Sequence, residues 1–172
     1  MTTPYALAPL TADHRVDDFT CGDRPGASEI DDYLKTSALR EQTAGLSAVW
    51  VATERGTGSS PGRMVGYFTL SPLSIPLSAA LLERAGLSNV PYRSVGGYLL
   101  GRLGVAAPLQ GKGFGSVLVA SAIRLARETR HDAGGAFLAV DPKNDGLVAW
   151  YEKLDFGFRR LDQGRRRMVL RL

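Results

Sequence analysis

A glycine-rich turn set between an apolar strand and an amphipathic helix constrains this chain more than any other stretch. Tyr98-Leu99-Leu100-Gly101-Arg102-Leu103-Gly104-Val105 is apolar enough for a mostly buried strand and stops at Ala106-Ala107-Pro108. Gln110-Gly111-Lys112-Gly113-Phe114-Gly115-Ser116 follows, and Val117-Leu118-Val119-Ala120 then opens a helical pattern that continues to Arg130. Glycine lets the backbone come close to a ligand. The first turn of a helix leaves N–H groups without intrahelical partners and favours negative charge. The turn is therefore an anion site, for a phosphate group above all. Beyond the helix, Gly134-Gly135 leads into Ala136-Phe137-Leu138-Ala139-Val140, a short apolar strand. A strand–helix–strand crossover of this kind makes the two strands parallel neighbours.

The glycine spacing excludes two common phosphate loops. Lys112 is followed by Gly113, so the G-x-x-x-x-G-K-[ST] order is absent, and glycines alternating at Gly111, Gly113 and Gly115 do not give G-x-G-x-x-G. The stretch resembles the Q/R-x-x-G-x-G/A pyrophosphate loop of the GNAT N-acetyltransferases, with Gln110, Gly113 and Gly115 at the defining positions.

The rest of the chain bounds the setting. At 172 residues it has the length of a single domain, read here as residues 1–172, and enough chain to bury a core. The N-terminus has neither the basic lead nor the apolar run of a secretory signal, and no stretch reaches membrane-spanning length. The single cysteine, Cys21, excludes an internal disulfide and reads as a small buried apolar residue. These features point to the cytoplasm. Charge is unevenly placed. Residues 1–86 hold 7 basic and 10 acidic side chains, net −3, whereas residues 87–172 hold 14 and 7, net +7. A basic half suits a phosphate-rich partner, cofactor or nucleic acid, and equally suits a plain solvated surface.

Taken in order, Tyr5 to Leu10 reads as an edge strand and Phe19-Thr20-Cys21-Gly22-Asp23 as a loop. A helix is expected over Ala27 to Gln42, with Ser28 as N-cap. Strands at 47–53 and 64–70 form a hairpin around the turn at 56–62, with Pro72 and Pro76 ending the second strand. A short helix from Ser78 to Arg84 leads through a loop to the strand at Tyr98. After Val140, Asp141-Pro142-Lys143-Asn144-Asp145 begins a helix through Lys153. The last strands, near 156–160 and 167–172, flank a turn at Asp162-Gln163-Gly164. The sum is an α/β fold with a mixed-direction sheet and flanking helices.

Near the C-terminus a second constellation appears. Asn144 and Tyr151 are seven residues apart, two helical turns, so both can face one side of a short helix. Trp150-Tyr151-Glu152-Lys153-Leu154-Asp155-Phe156 resembles the Y-E-K-L-G-F signature that follows the last helix in the same superfamily, with Asp155 in place of the usual glycine. Further stretches are similar to the acetyltransferase toxins of bacterial toxin–antitoxin pairs: Phe19-x-Cys21-Gly22, Ile30-Asp31-x-Tyr33-Leu34, Gly66-Tyr67-Phe68-Thr69-Leu70-Ser71 and Leu100-Gly101-Arg102-Leu103-Gly104-Val105. This likeness runs from about Phe19 to Phe158. The usual alanine before Val105 is Gly104 here, which suggests a locally looser strand.

The resemblance implies a GNAT fold whose sheet splays between the strands at 98–105 and 136–140 to admit acetyl-CoA. The pantetheine would pair with backbone near Leu103 and Val105. The diphosphate would rest on Gln110, Gly111, Lys112, Gly113, Phe114, Gly115 and Ser116, and Asn144 would meet the pantetheine arm. Tyr151 would protonate the departing thiolate as general acid. The implied reaction is direct acetylation of the α-amino group of aminoacyl-tRNA, which blocks translation; the implied partners are a ribbon–helix–helix antitoxin and a second copy of the chain in a homodimer. Arg93, Arg102, Lys143, Arg159 and the run Arg165-Arg166-Arg167 are candidates for tRNA phosphates. No metal ligand is assigned. An α-amino group, with a pKa of about 7.7–8.0, needs no strong general base, which fits the lack of a convincing carboxylate for that role. Two other readings stay open: the same chemistry on a small amine or protein N-terminus, and a non-catalytic domain that binds a nucleotide or RNA.

Overall fold

The structure is a computed structural model that describes residues 5–55, 62–162 and 164–172. The turn expected at 56–62 lies, apart from Gly62, outside the described residues, as does Gln163 of the later turn. Seven strands of mixed direction pair in the order β1-β2-β3-β4-β5-β7-β6, with helices between them. The chain divides into two compact units, residues 1–70 with 102–119 and residues 71–101 with 120–172.

In the first unit β1 (Tyr5–Pro9) runs antiparallel to β2 (Ala48–Glu54), from Tyr5↔Glu54 to Pro9↔Trp50. β2 is in turn antiparallel to the start of β3 (Met64–Pro76), with a register shift at Ala52/Thr53. The helix expected over 27–42 is two helices, α1 (Ala27–Thr36) and α2 (Ala38–Thr43), broken at Ser37. The cause is local. The Thr36 hydroxyl donates to the Asp32 carbonyl at 2.7 Å, and Thr36 and Ser37 bring two hydroxyls that compete with the helical ladder. The break lets Gln42 bridge two strands, donating to the Leu10 carbonyl at 2.5 Å and accepting from the Val49 N–H at 2.9 Å. Ser28 is not the N-cap; Gly26, at φ +83°, turns the chain into α1. Leu10, Phe19, Tyr33, Leu34, Ala38, Val49, Val51 and Tyr67 form the core here.

The second expected strand also needs correcting, because β3 runs through Pro72 to Pro76. The β2 register reaches β3 only as far as Leu70, so beyond that residue a missing proline N–H takes no bond from that ladder.

In the second unit, α3 (Ala79–Arg84) starts at Ser78, whose hydroxyl accepts from the Leu81 N–H at 3.2 Å. β4 (Ser94–Val105) begins earlier than the sequence suggests, and α4 (Phe114–Ala133) runs longer at both ends. β4 pairs in parallel with β5 (Phe137–Val140), from Gly97↔Phe137 to Leu100↔Val140. α5 (Asp145–Lys153) follows, and β7 (Met168–Arg171) is antiparallel to both β5 and the two-residue β6 (Arg159–Arg160). Ile75, Phe137, Ala139 and Val169 are the buried centre of this unit. The parallel ladder closes at Leu100↔Val140, and β4 continues for five residues past it. Among the described residues no strand pairs on that edge of β4 beyond Leu100, so backbone groups there are available to a ligand.

Candidate active site

The candidate anion site belongs to the first unit and is built around the end of β4. At Arg102 the strand is irregular: its N–H donates to the Thr69 hydroxyl at 3.0 Å, and Gly101 and Arg102 are both exposed. Leu103 and Val105 are half-buried. The chain then leaves the sheet through a tight turn at Ala107–Leu109, where Pro108 suits the turn. Ala106 N–H donates to Val65 and Ala107 N–H to Thr20, fixing where the loop starts.

Gln110 does not point outward. Its Nε2 donates to the Cys21 carbonyl at 2.7 Å and to the Val105 carbonyl at 2.9 Å. The Cys21 segment is itself held by Asp31 of α1, a buried carboxylate that accepts from the Cys21 N–H at 2.9 and 3.1 Å and from the Thr20 hydroxyl at 2.8 Å. Asp31, Cys21 and Gln110 therefore form a chain of contacts that ends at the strand supplying Val105. Burial pushes the Cys21 thiol up to about 12, with the neighbouring Asp31 carboxylate adding to the shift.

The loop that follows has the geometry of an anion nest. Gly111 and Gly113 take φ of +73° and +81°, and a Cβ at either position would meet nothing within 4 Å. Ser116 closes the turn by donating its N–H and hydroxyl to the Gly113 carbonyl at 3.1 and 2.6 Å. Among the described residues the N–H groups of Gly111, Gly113, Phe114 and Gly115 have no hydrogen-bond partner. Lys112 is exposed beside them, and Phe114 anchors the helix start by burying its ring 4.7 Å from that of Tyr5. This cradle fits a diphosphate: backbone donors without protein partners cluster at a positive helix end, with open space around Gly111 and Gly113.

The other candidate site residues, Asn144 and Tyr151, belong to the second unit. Asn144 is the N-cap of α5 rather than a residue within it, and its Oδ1 accepts from the Leu147 N–H at 2.9 Å. Tyr151 is buried, with 8% of its surface exposed, between the rings of Trp150 and Phe158 at centroid distances of 4.9 and 5.3 Å. Its hydroxyl has no partner among the described residues, yet no buried polar side-chain atom there is left unsatisfied, so the oxygen reaches solvent. Burial lifts the phenol well above its ordinary value of 10.0, so it holds its proton at neutral pH. Asp155 adopts φ +55°, the left-handed conformation that a glycine at that turn would take. Aspartate tolerates this region better than most residues, so the turn survives the substitution.

The basic residues separate into groups that the sequence could not sort. Arg93, Lys143 and Arg165 are exposed. The Arg102 guanidinium lies 3.7 Å over the Tyr33 ring. Arg166 pairs with Asp145 at 3.1 Å, and Arg167 makes a two-point contact with Asp141. Among the described residues Arg159 reaches only the Phe158 carbonyl, at 3.4 Å, and it lines a cavity with Arg84 and Arg160. Arg84 carried no sequence signal; Arg160 was legible only as the neighbour of Arg159. Asp31 could have been found from the acidic residue standing inside an otherwise apolar helix face.

A parallel strand pair that parts after four residues, with a glycine cradle at the start of the crossover helix, defines the architecture of a coenzyme A-dependent acyltransferase. Residues 14–158 match the model of the acetyltransferase (GNAT) family, and the chain belongs to that family. A tRNA-acetylating toxin of Mycobacterium tuberculosis (strain ATCC 25618 / H37Rv) is 30% identical over 133 residues, which cover 76% of this chain and 74% of the relative. Among solved structures, AtaT complexed with acetyl-methionyl-tRNAfMet superimposes with a TM-score of 0.82 at 24% identity, covering 97% of this chain and 94% of that one. A mutant AtaT toxin bound to the C-terminus of the antitoxin AtaR and acetyl-CoA gives a TM-score of 0.76 at 20% identity, covering 98% and 93%. The protein is thus an acetyl-CoA-dependent N-acetyltransferase of the toxin-like type, related to the tRNA-acetylating toxins. Among the described residues no helix is long and apolar enough to cross a membrane.

Proposed function

We propose that this enzyme acetylates the α-amino group of aminoacyl-tRNA by direct transfer and so arrests translation, with residues 1–172 as one catalytic domain. Acetyl-CoA supplies the activated thioester. The N–H groups of Gly111, Gly113, Phe114 and Gly115 hold its diphosphate, with the Lys112 ammonium beside them, while Ser116 shapes the turn. The free edge of β4 at Leu103 and Val105 offers main-chain groups to the pantetheine, and Asn144 keeps its side-chain N–H₂ for the same arm. Gln110 acts one step back, by holding the Val105 carbonyl and the Cys21 loop together.

Direct transfer is favoured because the single cysteine makes a poor nucleophile: Cys21 is buried and its thiol is pushed up to about 12. Tyr151 Oη holds a proton at neutral pH, is bonded to no described residue and can deliver that proton to the departing sulfur. This phenol is the observation that carries the mechanism. The charged-tRNA substrate and an antitoxin partner are supported by the toxin relatives, whose named complexes include a tRNA and an antitoxin. The ribbon–helix–helix kind of that antitoxin and a homodimer rest on the resemblance in sequence, and a cytoplasmic location on the sequence features.

The test is incubation with labelled acetyl-CoA and bulk charged tRNA. Label appearing on the aminoacyl moiety is the expected result, with Tyr151→Phe abolishing it while acetyl-CoA still binds. Expression of the wild-type chain should stop growth, and the same substitution should relieve the arrest. Steady acetylation of a free amine or of protein N-termini, with charged tRNA untouched, would transfer the assignment to the small-amine or N-terminal reading.

A further inference from the structure

A cavity of about 650 Å³ opens in the second unit, within the range of about 300–1,000 Å³ usual for ligand sites. Three arginines line it: Arg84 at the end of α3, and Arg159 and Arg160 of β6. Among the described residues Arg84 and Arg160 have no ion-pair partner, and Arg159 makes only the long contact to the Phe158 carbonyl. Two carboxylates share the rim, Glu152 and Asp162, but Asp162 is already turned to the Gly164 N–H at 2.8 Å. The arginines of the 165–167 run differ. Two of those three are committed to Asp145 and Asp141, so they are not at the disposal of a ligand.

The cavity adjoins the proposed proton donor through its own wall. Phe158, which lines it, packs its ring 5.3 Å from that of Tyr151, and Glu152 follows Tyr151 on α5. A substrate that presents its amine at Tyr151 and carries phosphates a nucleotide or two away would run past these guanidinium groups. Planar guanidinium forks pair with phosphate oxygens in two-point contacts.

We infer that Arg84, Arg159 and Arg160 form a phosphodiester-binding subsite that seats the RNA strand end carrying the acceptor amine. This rests on the aminoacyl-tRNA reading above. Phosphate contact there positions the strand without reading its sequence.

The experiment compares wild type, Arg84→Ala, Arg160→Ala and, as a charge control, Arg124→Ala, which removes a surface cation paired with Glu128 on α4. Acetylation of bulk charged tRNA is measured across a salt series, and KM for acetyl-CoA is measured alongside. Each cavity variant should raise KM for charged tRNA about tenfold and flatten the dependence of log KM on log salt by about 0.7–0.9 per contact. KM for acetyl-CoA should not move, and Arg124→Ala should behave as wild type. Arg84→Lys and Arg160→Lys, which keep the charge, should recover part of the loss. Cavity variants with the wild-type KM and slope would overturn the subsite while leaving the tRNA reading intact. An acidic peptide that competes with acetyl-CoA-independent binding at these arginines, with charged-tRNA kinetics unchanged in the variants, would also overturn it, in favour of a protein partner. A wild-type enzyme that leaves charged tRNA unlabelled defeats both proposals, and is recognised before any variant is made.

Discussion

The guanidinium of Arg167 holds both carboxylate oxygens of Asp141, Nε to Oδ1 at 2.7 Å and Nη2 to Oδ2 at 2.6 Å. Together with Arg166 on Asp145, this contact ties the approach to β7 to the loop between β5 and α5, the loop that carries Asn144. Two of the three arginines in the run near the C-terminus are therefore structural.

Arg167→Ala should lower stability modestly. The two side chains are 27% and 46% exposed, so solvent screens the pair, yet its geometry is two-pronged. A loss of about 1 kcal/mol is expected, or about 2–4 °C in Tm for a chain of this size. Arg167→Lys should recover only part of it, since an ammonium cannot span both oxygens. Thermal melts at low and high salt check this: the difference between variant and wild type should shrink as salt rises.

Tyr151 sets the expected pH profile. Its phenol is raised by burial above the ordinary value of 10.0, so the acid form persists throughout the neutral and mildly alkaline range. The attacking amine must lose its proton, with a pKa at or below about 7.7–8.0. kcat/KM should therefore climb with pH through that range and then stay level to about pH 10, with no falling limb from the phenol. A descent centred near pH 8 in an otherwise stable enzyme would count against Tyr151 as the acid. Tyr151→Phe should melt within about 0.5 kcal/mol of wild type, because its hydroxyl bonds to no described residue, while transfer drops by about 10²–10⁴-fold.

Gln110→Ala should expose a division of labour between the loop and the chemistry. Removing the amide leaves the Cys21 and Val105 carbonyls without their shared donor, at a cost of about 1–3 kcal/mol in stability. The displaced loop should raise KM for acetyl-CoA several-fold and change kcat less. Gln110→Glu should do worse, since it sets a carboxylate against two carbonyl oxygens. An unchanged KM in a folded Gln110→Ala enzyme would show that the loop holds its shape without the side chain.

Much of the site was legible because its chemistry lies in backbone that only certain residues permit. Gly111 and Gly113 need the left-handed region, and Pro108 marks the exit of the strand. The parallel pair was legible for the same reason, since an apolar strand, a helix and a second apolar strand allow little else. What the sequence hid depends on distant partners. Nothing local says that Gln110 turns inward to Cys21, 89 residues earlier. The same is true of Arg166 and Arg167 meeting carboxylates more than twenty residues upstream, while Arg84 and Arg160 meet none among the described residues. The Thr36–Ser37 break was hidden for a subtler reason: periodicity continues across it, and only competing hydroxyl bonds interrupt the helix.

Gly104 offers the sharpest case, because here the resemblance and the packing point in opposite directions. The resemblance in sequence sets alanine at this position, which suggests that glycine merely loosens the strand. The space is in fact full. A Cβ on Gly104 would come within 2.7 Å of Tyr67 Cε1 and 2.9 Å of Ile30 Cγ2. Tyr67 cannot easily retreat: its ring is fully buried, it packs edge-on to Phe19 at 5.7 Å, and its hydroxyl donates to the Ile30 carbonyl at 2.7 Å. Gly104→Ala should therefore destabilise the protein by about 1–3 kcal/mol, the usual cost of overpacking a tight core, even though alanine favours a strand over glycine. Because Val105 is the next residue, KM for acetyl-CoA should rise with it. Shortening the neighbour tests the cause. Gly104→Ala combined with Ile30→Ala, which removes the crowding Cγ2 itself, should be less destabilised than the sum of the two single changes. Strict additivity in chemical denaturation would place the origin of the cost somewhere other than this contact.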